Sequence, residues 1–194
     1  ATQALDALTA FRRERDTPVV LFTYLNPILA YGEDRFLEDA LEAGADGLLL
    51  TDLPLDADPV LEATIEASEL ALVRLIAPTT SPARAALVAA RSQGFLYYIS
   101  RTGVTGARES LREELAREIE ALRAAAAVPI AVGFGISSAE QAAQVARVAD
   151  GIVVGSAFIE RLERDEADAL AFIGDLLRAV NRDDRFTAER AAEL

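Results

Sequence analysis

Runs of consecutive apolar residues alternate with stretches in which apolar residues recur every three or four positions, and the alternation continues along the chain. The runs Pro18–Tyr24, Asp46–Thr51, Ala71–Ala77, Phe95–Ser100, Pro129–Phe134 and Asp150–Gly155 predict strands. They are nearly continuous in hydrophobicity, as parallel strands covered on both faces should be. Between them, Leu111, Leu115, Ile119 and Leu122 form one helical stripe, and Leu170, Ile173, Leu177 and Val180 form another. Start signals accompany the helices: Ser81 before Pro82, Ser110 with Glu113, and Ser138 with Gln141. A short repeat, Ala45-Asp46-Gly47-Leu48-Leu49 and Ala149-Asp150-Gly151-Ile152-Val153, carries a helix end into a strand twice, and we read it as structural.

Strand and helix alternating at this spacing give an α/β protein, either a (β/α)8 barrel or an open doubly wound sheet. The opening stripe Ala4, Leu5, Leu8 and Phe11 predicts a helix to about Arg15 that leads directly into the first strand. A helix in such a series follows a strand, so a strand is expected upstream. A closed barrel needs eight strands and roughly 250 residues, whereas six strands are legible in these 194 residues. The expectation is an incomplete TIM barrel over residues 1–181, followed by a polar tail at 182–194.

Composition narrows the chemistry. The formal charge of −13 repels phosphate backbones, which argues against nucleic acid as a partner. It leaves room for a phosphorylated small molecule, because main-chain amides bind phosphate without Lys or Arg. The chain has neither Cys nor His, so thiolate catalysis, zinc–thiolate sites and imidazole bases are excluded, and no metal site is expected. No apolar run reaches the ~20 residues needed to cross a bilayer, and a cytoplasmic enzyme is expected.

In a (β/α)8 barrel the active site lies in the loops after the strands. Gly133 and Gly135 follow one strand end; Gly155 and Ser156 follow the next and open a short helix, Ala157–Leu162. Two glycine turns on consecutive strands, the second running into a helix, make a candidate phosphate site. Ser100–Glu109, where Gly103 and Gly106 flank Val104-Thr105, has the make-up of a mobile lid.

These segments resemble those of the tryptophan synthase α subunit family. The likeness lies in Tyr97-Tyr98-Ile99-Ser100-Arg101-Thr102-Gly103-Val104-Thr105-Gly106, Val132-Gly133-Phe134-Gly135-Ile136-Ser137 and Val154-Gly155-Ser156-Ala157. It extends to Thr23-Tyr24-Leu25-Asn26-Pro27, and to Ala43-Gly44-Ala45-Asp46-Gly47 running into Asp52-Leu53-Pro54. The resemblance implies retro-aldol cleavage of indole-3-glycerol phosphate to indole and glyceraldehyde 3-phosphate, without metal or cofactor in this chain. It implies an α2β2 heterotetramer with a β subunit that carries pyridoxal phosphate. Gly106, Gly135, Gly155 and Ser156 would bind the substrate phosphate, Thr105 would sit on the lid, and Tyr97 would line the pocket near the glycerol. Tyr24 and Phe134 would flank the indole and the mouth. Asn26, Pro27, Asp52, Leu53 and Pro54 would face the β subunit. The family's catalytic Glu and Asp belong to its first two β/α units, so no catalytic residue is expected within this chain. A stand-alone indole-glycerol-phosphate lyase, or a phosphate-binding barrel fragment without activity, are the alternatives.

Overall fold

The computed structural model describes residues 1–100, 109–133 and 135–181. Thr105, Gly106 and Phe134, the rest of the expected lid at 101–108, and the tail at 182–194 lie outside the described residues. The chain forms two compact units, one of Ala1–Leu75 with Arg91–Phe95, the other of Ile76–Ala90 with the residues from Leu96 onward.

The first unit runs α1 (Thr2–Arg12), β1 (Val20–Thr23), α2 (Leu25–Tyr31), α3 (Glu33–Ala43), β2 (Gly47–Leu50), α4 (Pro59–Ala67) and most of β3 (Ala71–Ile76). Its strands pair in parallel, Val20 with Gly47 and Gly47 with Ala71. Every residue of β2 is buried, as its unbroken apolar run requires. Leu5 and Leu8 of α1, Ile28 of α2, Phe36 and Leu37 of α3, and Leu61 and Ile65 of α4 close over the strands in one cluster.

The second unit contains α5 (Pro82–Ala90), β4 (Leu96–Ile99), α6 (Glu109–Arg123), β5 (Ile130–Gly133), α7 (Ala139–Ala146), β6 (Gly151–Val153), α8 (Ser156–Leu162) and α9 (Glu166–Val180). Here β4 pairs with β5 and β5 with β6, again in parallel. The capping box expected at Ser138 is present: its hydroxyl accepts from Gln141 N–H, and Gln141 returns the bond to the backbone N–H of Ser138. All six expected strands are found, each within the predicted run. Among the described residues β1 pairs only with β2 and β6 only with β5. Each keeps an unpaired edge, and both are less buried than β2.

Two details differ from the sequence reading. Ser110 stands inside α6, which already includes Glu109, and so does not precede the helix. In α9 the buried face is Ala169, Phe172, Leu176 and Val180, while Leu170 and Leu177 are exposed. The helix carries two adjacent apolar stripes, and packing selects the one with a small residue. Ala169, like Ala142 and Ala146 of neighbouring α7, is fully buried, which lets the two helices approach closely. The Arg161 guanidinium then covers the Phe172 ring at 4.0 Å.

The Ala-Asp-Gly repeat is structural, as its placement between helix and strand suggests. In the first unit Asp46 accepts from the Val19 N–H at 2.6 Å and pairs with Arg12 of α1. Arg12 also reaches the Gly44 carbonyl at 2.7 Å. In the second unit Asp150 accepts from the Ile130 N–H at 2.9 Å and from Arg123 of α6 at 2.8 Å, while Arg123 reaches the Val148 carbonyl at 3.0 Å. Each Asp therefore joins the end of a helix to the starts of two neighbouring strands. Partly exposed as they are, such charged pairs contribute on the order of 1 kcal/mol or less each. The Gly that follows Asp46 has its own reason: a Cβ at Gly47 would come within 2.6 Å of the Ala71 carbonyl oxygen.

Candidate functional site

The register of β5 against β6 pairs Gly133 with Val153. Gly135 and Gly155 each lie two residues beyond that pair, so the two glycine turns leave neighbouring parallel strands at the same end. Adjacent strands are about 4.8 Å apart, which brings the turns side by side. Gly135 has φ +73°, a left-handed conformation that favours glycine. Its exposed turn is anchored on the far side by Ile136, which is buried.

Gly155 caps α8 with φ −119° and ψ −90°, and no side chain caps the helix. The first N–H groups of any helix lack intrahelical acceptors and sit at the positive end of its dipole. Here Gly155 and Ser156 are exposed, and a Cβ at Gly155 would meet nothing within 4 Å. An unfilled space beside free helical amides is what an anion would need.

Gly133 differs. A Cβ there would collide with the ring and hydroxyl of Tyr97, so this glycine makes room for a side chain instead of a ligand. Tyr97 on β4 is buried, and burial raises its phenol pKa above the usual value. Tyr97, Gly135, Gly155 and Ser156 thus share the second unit, where the Gly133 register brings their strands together.

The family model for the tryptophan synthase alpha chain matches residues 1–182. The chain is 48% identical over 180 residues to the tryptophan synthase alpha chain of Gluconacetobacter diazotrophicus, covering 92% of this chain and 65% of that one. It is 42% identical to that of Geobacter sp. strain M21, covering 92% and 67%. The chain belongs to the tryptophan synthase alpha chain family. Solved structures of the family agree in fold. A chain of Mycobacterium tuberculosis tryptophan synthase superposes with TM-score 0.82 at 36% identity, over 93% of this chain and 68% of that one. The alpha subunit from Legionella pneumophila gives 0.80 at 34% identity, over 94% and 70%. The fold is thus that of the family's TIM barrel, and this chain spans about two thirds of the length of the relatives it matches.

The remaining site residues lie in the first unit. Tyr24 is the N-cap of α2 and is 61% exposed. Asn26 and Pro27 occupy the exposed first turn of that helix. Asp52 and Pro54 are exposed in the loop after β2, whereas Leu53 packs against the core cluster. The Asp52 Oδ1 accepts from the Leu25 N–H at 2.7 Å, a bond that joins the two loops and that the sequence did not indicate. Phe22, 60% exposed on β1, was also not singled out; a large aromatic within a strand reads as core until its neighbours are known. Among the described residues no cluster of acidic side chains could hold a metal ion, and no helix is long and apolar enough to cross a membrane.

Proposed function

We propose that this chain carries the phosphate-binding and partner-facing part of a tryptophan synthase α subunit, acting on indole-3-glycerol phosphate in the cytoplasm. The observation that carries the reading is the pair of adjacent turns at Gly135 and Gly155, within a family match that runs through both. Main-chain N–H groups at these turns and at Ser156 would hold the phosphate, with the dipole of α8 adding to the attraction. Tyr97, neutral at physiological pH as tyrosines ordinarily are, would line the pocket near the glycerol without introducing charge. Thr105, Gly106 and Phe134 retain the lid, phosphate and indole roles that the resemblance assigns. Tyr24 keeps the role that the resemblance assigns it, and Asn26, Pro27, Asp52, Leu53 and Pro54 stand for the β-subunit face of an α2β2 assembly. Pyridoxal phosphate belongs to that partner, and no cofactor is assigned to this chain.

Cleavage needs one group to protonate the indole carbon that bears the side chain and another to accept a proton from the departing glycerol. Asp52 follows a strand end, but its carboxylate already accepts the Leu25 N–H. The resemblance assigns the acid and base to a Glu and an Asp of the family's first two β/α units, and we place them there, outside these 194 residues. The test is release of indole from indole-3-glycerol phosphate. The 194-residue chain alone should release none; the protein with every residue its gene encodes should release indole, and faster with a β chain. Turnover by the 194 residues alone would overturn the placement of the acid and base. Silence from the whole protein with its β chain would overturn the activity itself.

A further inference from the structure

We propose that Asp52 is a positioning residue that binds the two loops of the partner face into one rigid piece. The inference rests on the partner assignment above. Helix α2 starts poorly by its own sequence: the Tyr24 side chain caps nothing, and no acidic residue occupies the first turn. The missing acceptor comes from the neighbouring loop. Asp52 Oδ1 receives the N–H of Leu25, the first residue of α2, at 2.7 Å. One residue earlier, the Thr51 N–H donates to the Thr23 carbonyl at 3.1 Å, and the Thr51 hydroxyl lies 3.4 Å from the same oxygen. The β1–β2 ladder, whose last pair is Thr23 with Leu50, is thus extended past both strand ends.

Each side of this link is anchored. Ile28 of α2 is 1% exposed, and Leu53 packs against the core of the first unit. Between the anchors the linked segments present Tyr24, Asn26, Pro27 and Pro54 to solvent. Two loops that must meet a partner together bind more tightly when their relative placement is fixed beforehand. A carboxylate on the first N–H of a helix fixes that placement and also complements the helix dipole.

The test uses the whole protein as its gene encodes it, with a tryptophan synthase β chain from the same source. Asp52→Ala removes the acceptor; Asp52→Asn keeps a carbonyl oxygen for the Leu25 N–H. Asp52→Ala should weaken β-chain binding by about tenfold, the scale of losing a helix cap, and blunt the rise in indole release that the β chain causes. Asp52→Asn should stay within about threefold of the parent on both measures. Amide hydrogen exchange in the free protein should quicken at Leu25 in the alanine variant but not in the asparagine variant, a readout independent of turnover. Undiminished β-chain binding by Asp52→Ala, with the parent protein binding normally, would overturn the proposal. So would equal loss in the two variants, which would mark the charge itself as the working group. If the parent protein fails to bind the β chain, the partner assignment fails and the proposal with it.

Discussion

Replacing Arg74 with Met should lower the unfolding free energy by about 3–5 kcal/mol, because it strands a buried charge. Glu62 of α4 is completely buried, and Arg74 on β3 is 5% exposed. The Arg74 Nη2 lies 2.7 Å from Glu62 Oε2 and 2.8 Å from Glu66 Oε1. Neither oxygen of Glu62 accepts a well-aligned hydrogen bond, so proximity of the opposite charge is what balances this carboxylate. Glu66 has a second cation in Arg91, 3.3 Å away, and tolerates the loss better. Combining Arg74→Met with Glu62→Leu should recover most of the deficit, since a buried pair replaced by apolar groups is often neutral. Urea unfolding of the two variants measures both values. A single variant within about 1 kcal/mol of the parent, on the order of an ordinary surface change, would show that no charge is left stranded at Glu62.

Gly155→Asp should separate fold from function in the opposite sense. Asp is among the best N-cap residues, and the space beside Gly155 is open. Yet Gly155, at φ −119° and ψ −90°, lacks the extended backbone from which an N-cap side chain bonds, so stability should stay within about 1 kcal/mol of the parent, as for an exposed substitution. The new carboxylate would stand beside the amides proposed to hold a phosphate and would repel its charge. Affinity for indole-3-glycerol phosphate should fall by roughly 100-fold or more, equivalent to about 2.7 kcal/mol. Thermal melting and substrate titration of one sample give both values. If Gly155 only made a turn, the substitution would leave affinity intact.

How much could be read beforehand depended on what each residue's role required of its neighbours. Strands such as Gly47–Leu50 were legible because burial on both faces demands an unbroken apolar run, which few other structures need. The Ser138–Gln141 cap was legible because its partners are three residues apart. The phase of α9 was not: Leu170 and Leu177 repeat at helical spacing as well as Phe172 and Leu176 do, and only the small residues facing α7 decide between them. The Glu62–Arg74 pair was invisible for a related reason. Charges on a helix and a strand look like solvated surface until the fold places them 2.7 Å apart in the interior. At the site, the turns at Gly135 and Gly155 stood out as glycines after consecutive strands, but their different reasons for being glycine did not. Gly133 looked like a member of the same set and instead accommodates Tyr97.

The central claim is that main-chain amides at two neighbouring turns hold a phosphate. Isotope-labelled protein titrated with glyceraldehyde 3-phosphate tests it most directly, by following backbone amide resonances. The account predicts saturable shifts at Gly135, Gly155, Ser156 and Ala157, with the Leu25 and Asp46 amides of the first unit unmoved. Shifts confined to other residues, or none at millimolar ligand, would contradict it.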